Sequence, residues 1–297
     1  MMRHTFQRLA LMLFCFYLAV FPGSTIVVAL DRVPSWGAWM GGALLLLQGA
    51  AALCWLLGRH GARGGLAALL VFLLAWAVEY AGVATGVPFG RYHYTGALQP
   101  QLFGTVPLAI PCAWLMVAAG AWQLATTDHR PPTTDHRLLP TVVSGRSSVV
   151  VAATLVLLLD LQIETVATKI NQYWIWRDSG PYYGVPTANF VAWWLTGLAM
   201  AVVVAALLGR QGDKETRRQG DREIRLTSRV SRQLPAYLYL LNTLMFAIIN
   251  LARGYTVAGL IGVIVLLVVA LVSQPVGAWQ PFFPHVERVE EADESSR

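Results

Sequence analysis

The composition of this chain differs from that of a soluble protein. It has 297 residues, of which 56% are hydrophobic and only 13% charged, with a mean hydropathy of +0.53; ordinary globular domains carry about 25% charged residues. The net charge of +6 comes from basic residues that lie mostly between apolar runs, which argues against a nucleic-acid partner. The three cysteines fall inside apolar stretches without paired spacing, which excludes a disulfide scaffold. These features predict a membrane protein with several spans.

Long apolar runs predict the membrane spans. A helix needs about 20 mostly apolar residues to cross a bilayer. Eight runs meet this condition, at 9–30, 36–57, 66–84, 105–125, 148–170, 186–208, 234–252 and 254–273. They predict one all-α, polytopic helical bundle of about eight spans over residues 1–297. The first run is too long for a typical signal peptide and a second span follows almost at once, so we interpret it as a retained helix.

Basic residues predict the orientation of the bundle. With the N-terminus in the cytoplasm, 17 of the 22 Lys and Arg fall on the cytoplasmic side, as the positive-inside rule requires. We therefore expect an N-in/C-in topology in the plasma or inner membrane of the cell. Residues 209–233 then form a basic cytoplasmic loop and residues 274–297 a cytoplasmic tail.

Three acidic residues lie within predicted spans: Glu79, Asp160 and Glu164. Each costs about 2.5–3.5 kcal/mol near a helix centre, so each is a functional candidate. Asp160 and Glu164 are four residues apart and share one helical face. Two such carboxyls cannot readily both ionise, so we expect one to keep its proton and act as a donor. Two structural alternatives remain open: that Glu79 forms an ion pair with Arg91, and that the other two acids are satisfied by Lys169, Arg91, Arg177, Asn242 or Asn250.

Two loops on the non-cytoplasmic side are dense in aromatic residues, Gly and Pro. One follows the third span and the other joins the fifth and sixth. Irregular backbone at membrane depth persists only where protein or a cavity covers it. An interfacial aromatic belt accounts for the Trp and Tyr but not for the accompanying Arg, His and Asn. We therefore predict that the loops line a site, with His93 as a further catalytic candidate and with substrate contacts from Arg91, Tyr92, Tyr94, Tyr173, Trp174, Trp176, Tyr182, Tyr183, Asn189 and Trp193.

Motifs for cofactors and metals are missing from the sequence. It has no glycine-rich phosphate loop, no HExxH, no CxxC, no Asp-rich magnesium cluster and no pair of histidines within a span. We therefore expect a site that works without a cofactor and without a metal.

Two blocks of sequence carry a family resemblance: VEYAGVATGVPFGRYHYTGALQPQLFGTVPLAIPCAWLM (78–116) and LDLQIETVATKINQYWIWRDSGPYYGVPTANFVAWWL (159–195). They resemble the membrane carotenoid-biosynthesis hydratases of the CruF type, which include γ-carotene 1′-hydratases and archaeal bisanhydrobacterioruberin hydratases. The family has Asp-Pro where this chain has Glu164-Thr165, so the acid is kept and the proline is lost.

The resemblance implies a hydro-lyase of carotenoid biosynthesis. Water would add across the terminal C1′=C2′ double bond of an acyclic carotenoid end, giving a tertiary alcohol. For this reaction we expect Asp160 as the principal acid, Glu164 as its partner and Glu79 as a further candidate donor, with His93, Arg91 and Asn189 orienting water or a carboxylate. The expected partners are a carotenoid arriving from the lipid phase, membrane lipids and other carotenoid-pathway enzymes.

A transporter or channel is the alternative function. Intramembrane acids and interrupted helices suit it, and Gly-Val-Pro occurs in both outer loops, at 86–88 and 184–186. Solute flux would identify a transporter, whereas a hydratase would add one water to the pigment.

Overall fold

Helices make up most of the described chain. A computed structural model describes residues 2–126, 145–209 and 225–273. They contain eight α-helices, α1 to α8: Met2–Ala29, Met40–His60, Ala62–Thr85, Ala109–Thr126, Gly145–Thr165, Thr187–Leu208, Arg225–Ala252 and Thr256–Ser273. Seven of the helical segments are long and apolar enough to cross a membrane, and Thr256–Val272 is a shorter apolar helix. The prediction of an all-α polytopic bundle is confirmed, and the N-in/C-in orientation stays a prediction.

Helix α4 lies at the centre of the bundle. It has the largest buried share of the spanning segments, 61%, and it packs against α2, α3, α5, α6 and α7. Gly120 allows α7 to come close, because a Cβ atom at this position would lie 2.6 Å from the Cβ atom of Tyr239. Small residues at such contacts are typical of helix packing in membranes, where dispersion replaces the hydrophobic effect.

Helix α7 begins earlier than the apolar pattern indicates. The predicted span starts at residue 234, directly after a predicted loop over 209–233, whereas the helix starts inside that loop, at Arg225, and is interrupted at Gln233. The predicted loop is therefore corrected from Arg225 onwards, where the chain is helical. Residues 225–233 are mostly polar, so hydropathy does not mark them as a span. Residues 210–224 and the predicted tail at 274–297 lie outside the described residues.

Pro235 explains the interruption of α7. A proline lacks the N–H that would bond the carbonyl four residues earlier, which here belongs to Ser231. The indole Nε1–H of Trp55 donates to that carbonyl instead, at 2.8 Å. The kink thus fixes α2 against the inner end of α7.

Helix α5 ends in a wider turn. Residues Val166–Ile170 form a π-helix directly after Thr165, so the helical span reaches residue 170, as predicted. Such turns are rare and often lie at functional sites. The backbone is therefore irregular just after Glu164, although the proline of the resembling family is missing from this chain.

The two outer loops pair as a short antiparallel ribbon. Strand β1 (Tyr92–Tyr94) follows α3, and strand β4 (Trp174–Trp176) follows the π-helix. Tyr92 lies opposite Trp176, and Tyr94 opposite Trp174. A second small hairpin joins β2 (Gln101–Leu102) to β3 (Val106–Pro107) before α4. The two aromatic loops therefore meet in space, since their backbones are hydrogen-bonded to each other.

Candidate active site

Glu79 is held by three hydrogen-bond donors near the outer end of α3. Its side chain is buried at 5% exposure. The hydroxyls of Tyr92 and Tyr94 donate to Oε2 at 2.6 and 2.7 Å, and the indole Nε1–H of Trp114 donates to Oε1 at 2.9 Å. Burial raises the pKa of both tyrosines, and the negative charge of Glu79 raises it further. Both hydroxyls therefore keep their protons and can donate. The alternative that Glu79 is an interfacial acid paired with Arg91 is wrong.

Gly82 makes room for this arrangement. It lies one helical turn after Glu79 on α3, and a Cβ atom there would approach the Tyr92 hydroxyl to 3.0 Å and the Phe89 ring to 2.7 Å. A larger residue would push the hydroxyl away from the carboxylate, so the glycine is part of the site.

Arg91 binds a different acid, on the outside of the ribbon. Its Nε and Nη2 donate to Oδ1 of Asp178 at 2.9 and 2.7 Å, and its backbone N–H donates to Oδ2 at 2.7 Å. These bonds lower the pKa of Asp178. The Arg91 side chain is 69% exposed. The predicted role of Arg91 in orienting water or a buried carboxylate is therefore corrected, because it joins the two loops at the surface.

Asp160 and Glu164 share one donor. The side-chain Nδ2 of Asn189, at the outer end of α6, donates to Oδ2 of Asp160 and to Oε1 of Glu164, both at 3.0 Å. The Nε1–H of Trp176 donates to the other oxygen of Glu164 at 2.9 Å. All three α-helical side chains are at most 1% exposed. The prediction that the two acids share one helical face is confirmed by their common partner.

No cationic side chain satisfies these acids in the part of the chain that the structure describes. The hydrogen-bond donors to all three carboxyls are tyrosine hydroxyls, indoles and an amide. Two amides proposed as structural partners are occupied elsewhere: Asn242 donates to Gln48, and Asn250 donates to the backbone of Gln162. Oδ1 of Asp160 has no hydrogen-bond partner among the described residues. In the described chain, Asp160 and Glu164 are therefore not satisfied by the side chains that this structural alternative requires, which are Lys169, Arg91, Arg177, Asn242 and Asn250.

The ribbon joins the two halves of this cluster. Tyr92, which binds Glu79, lies across the ribbon from Trp176, which binds Glu164, and the two ring centroids are 5.1 Å apart. Side chains alternate along a strand, so Tyr92 and Tyr94 share one face while His93 lies on the other. The Nδ1 atom of His93 is buried without a partner among the described residues. His93 was predicted to be catalytic, but its side chain lies on the other face of the ribbon from the carboxyl cluster.

A cavity of about 1090 Å³ opens beside the cluster, slightly larger than the usual range for ligand sites. Glu79 and Glu164 line it, whereas Asp160 does not. The predicted substrate residues that line it are Tyr92, Tyr94, Tyr173, Trp174, Trp176, Asn189 and Trp193.

Tyr182 and Tyr183, which were also predicted to bind substrate, do not line this cavity. The Tyr182 hydroxyl donates to the carbonyl of Leu161 at 2.6 Å, and the Tyr183 ring packs against Tyr255. Both tyrosines fix the second loop onto the ends of α5 and α8. Their placement corrects the prediction.

Trp114 is a site residue that the sequence interpretation missed. It stacks on Trp193 with ring centroids 3.9 Å apart while donating to Glu79. Buried tryptophan needs an acceptor for its N–H, and Trp114 lies within the first block of family resemblance. These two facts could have identified Trp114 as a site residue from the sequence. Among the described residues, no group of three or more His, Cys, Asp or Glu is arranged to hold a metal ion.

Comparison with known proteins agrees with the resemblance noted in the sequence. A model of the family described as "Carotenoid biosynthesis protein" matches residues 40–269. The bisanhydrobacterioruberin hydratase of Haloarcula japonica is 32% identical over 137 residues, which cover 46% of this chain and 42% of that protein, so the match spans less than half of the relative's length. No solved structure matches significantly. The family model covers more than half of the chain, and the chain therefore belongs to the carotenoid biosynthesis protein family.

Proposed function

We propose that this protein is a hydro-lyase that adds water to the terminal C1′=C2′ double bond of an acyclic carotenoid end group, in the plasma or inner membrane. The product is a tertiary alcohol. Family membership supports the substrate class, and the similarity to the Haloarcula japonica hydratase supports hydration. The observation that carries the proposal is the cluster of three buried carboxyls beside aromatic rings, at the wall of an apolar cavity.

The first step needs a proton donor that faces the substrate. Protonating C2′ breaks the double bond and leaves a tertiary carbocation at C1′. We assign this step to Glu164 rather than Asp160, because Glu164 lines the cavity and Asp160 does not. Asp160 lies beside Glu164 on the same amide of Asn189. Two neighbouring carboxyls shielded from water share a proton more readily than they both ionise, so the pair supplies the acid.

The carbocation needs negative charge and electron-rich rings nearby. Glu79 offers the charge, since its three donors are arranged for a carboxylate. Trp193 and Trp176 line the cavity and offer ring faces for cation–π attraction. These groups are held in place before the reaction, so their favourable field does not have to be organised as the charge develops.

The second step restores the acid. A water oxygen attacks C1′ and forms the C–O bond, and its surplus proton passes to the Glu164–Asp160 carboxyl pair. The net change is one water added, with no electron donor or acceptor consumed. The role of Asn189 is to keep the two carboxyls in register on one nitrogen.

Pigment analysis tests the proposal. The full chain is expressed in bacterial hosts that make lycopene or γ-carotene. The pigments are then separated, and their molecular masses are measured by mass spectrometry. We expect a new, more polar pigment heavier by one water, labelled with ¹⁸O when the cells grow in ¹⁸O-water. Unchanged pigments with a folded, membrane-inserted protein would refute the proposal, and solute flux in vesicles would favour a transporter instead.

A further inference from the structure

The cavity extends beyond the carboxyl cluster along α1. Phe16, Val20, Gly23 and Val27 line it, and their spacing of four, three and four residues places them on one face of the helix. This stripe covers about 16 Å of helix at 1.5 Å per residue. Met245, Phe246 and Ile249 of α7 line the same cavity. The cavity therefore has a long, apolar limb between α1 and α7 that is continuous with the site of Glu79 and Glu164.

Contacts at two heights hold α1 to α7 beside this limb. Towards the inner side, the rings of Phe14 and Tyr237 pack with centroids 6.4 Å apart. At the outer end, Arg253, directly after α7, forms an ion pair with Asp31 at 2.6 Å and donates to the carbonyl of Val28. Asp31 is 77% exposed, and ion pairs of exposed groups contribute little to stability. The outer contact can therefore open at small cost.

The surface above the limb is exposed along α1. Phe16 is 60% exposed, and Gly23 is exposed with no atom within 4 Å of a Cβ built on it. Pro22 precedes Gly23 inside α1 and removes one helical hydrogen bond at this height. The seam between α1 and α7 thus combines a side-chain gap, a weakened helix and a path to the acids.

We propose that this seam, bounded by Phe16, Val20 and Gly23 on α1 and by Met245 and Phe246 on α7, is the portal and binding limb for the hydrocarbon chain of the substrate. The inference rests on the proposed function. The end group reaches the carboxyls through the seam, and the rest of the polyene remains between the two helices, partly in lipid. A polyene fits this limb because its walls are apolar and it leads from the lipid-facing surface to the proton donor.

A bulky residue in the seam tests the portal. Gly23→Trp places an indole in the gap, and Ile26→Trp, one turn further along α1, is the matched control because Ile26 is 54% exposed and does not line the cavity. We expect Gly23→Trp to lose most of its hydrated carotenoid and Ile26→Trp to keep it. Equal product from Gly23→Trp and the wild type would overturn the portal, whereas a wild type without product would overturn the proposed function.

A reversible cross-link covers the case in which Gly23→Trp does not fold. Val20→Cys and Met245→Cys are combined with Cys15→Ala, because Cys15 is the exposed native cysteine of the described chain. A cleavable thiol cross-linker should stop hydration in membranes, and reduction should restore it. Activity that persists in the fully cross-linked protein would refute the portal. Each control variant carries only one of the two introduced cysteines, and treatment with the cross-linker should leave its rate equal to that of the same variant before treatment.

Discussion

Replacing Glu164 by Gln tests the assignment of the proton donor most directly. The amide has nearly the shape of the carboxyl but cannot supply the proton for C2′. General acid catalysis typically contributes 10²- to 10⁴-fold, so we expect a loss of this size, or about 2.7–5.4 kcal/mol in the barrier. The assay is the rate of hydrated carotenoid formation in isolated membranes, normalised to the amount of folded protein.

The same substitution has a calculable effect on stability. Glu164 accepts hydrogen bonds at both oxygens, from Asn189 at Oε1 and from Trp176 at Oε2. A glutamine offers only one acceptor oxygen, so one buried donor loses its partner, at a cost of about 1–3 kcal/mol. Thermal unfolding in detergent should therefore shift downwards while the protein still purifies as a monodisperse species.

Asp160→Asn is the matched control for Glu164→Gln. Asp160 accepts a single bond, at Oδ2, and an asparagine oxygen can keep it. Because Asp160 does not line the cavity, we expect a smaller loss of activity than in Glu164→Gln. Folded Glu164→Gln protein with a wild-type rate would refute the reasoning, and a larger loss in Asp160→Asn would move the proton donor to Asp160.

Three further predictions follow from the contacts around the cluster. Trp114→Phe keeps an aromatic ring but removes one donor to a charged acceptor, worth about 1.5–3 kcal/mol, so product formation should fall at least tenfold in the membrane assay; an unchanged rate would contradict the role of that indole. Gly82→Ala should reduce hydration by displacing the neighbouring tyrosine hydroxyl, whereas Gly96→Ala, where a Cβ atom meets nothing within 4 Å, should be neutral; equal rates would show that the close approach is unimportant. Arg91→Gln should leave the rate unchanged between pH 5 and 8. The pKa of Asp178 is lowered by Arg91. The ion pair of Arg91 with Asp178 therefore stabilises the loops fully above the ordinary aspartate pKa, and this stabilisation is lost only as the pH falls through the lower pKa of the folded protein. A changed pH–rate profile between pH 5 and 8 would place Arg91 in the chemistry.

The helical architecture could be predicted from hydropathy because each span must satisfy its backbone internally. The start of α7 could not, since residues 225–233 are mostly polar and an apolar window does not mark them as part of a span. A proline accounts for the break near Gln233, but the sequence does not indicate that Trp55 becomes the partner of the freed carbonyl.

The acids of the site could be predicted because charge is costly inside a membrane. Their partners could not be predicted with the same success. Arg91 and His93 are close in sequence to Tyr92, yet the alternation of a strand and the pairing with Asp178 take them away from the cluster. Tyr182 and Tyr183 have the right chemistry, but their loop turns towards α8. Composition identifies which groups are able to line a site, whereas backbone direction decides which of them do.

The pairing of β1 with β4 has a consequence for biogenesis. Glu79 is synthesised long before Glu164, and Tyr92 and Trp176 bring the two together only when their strands have met. A nascent chain that has inserted only its first four helices therefore cannot yet possess the complete acid cluster.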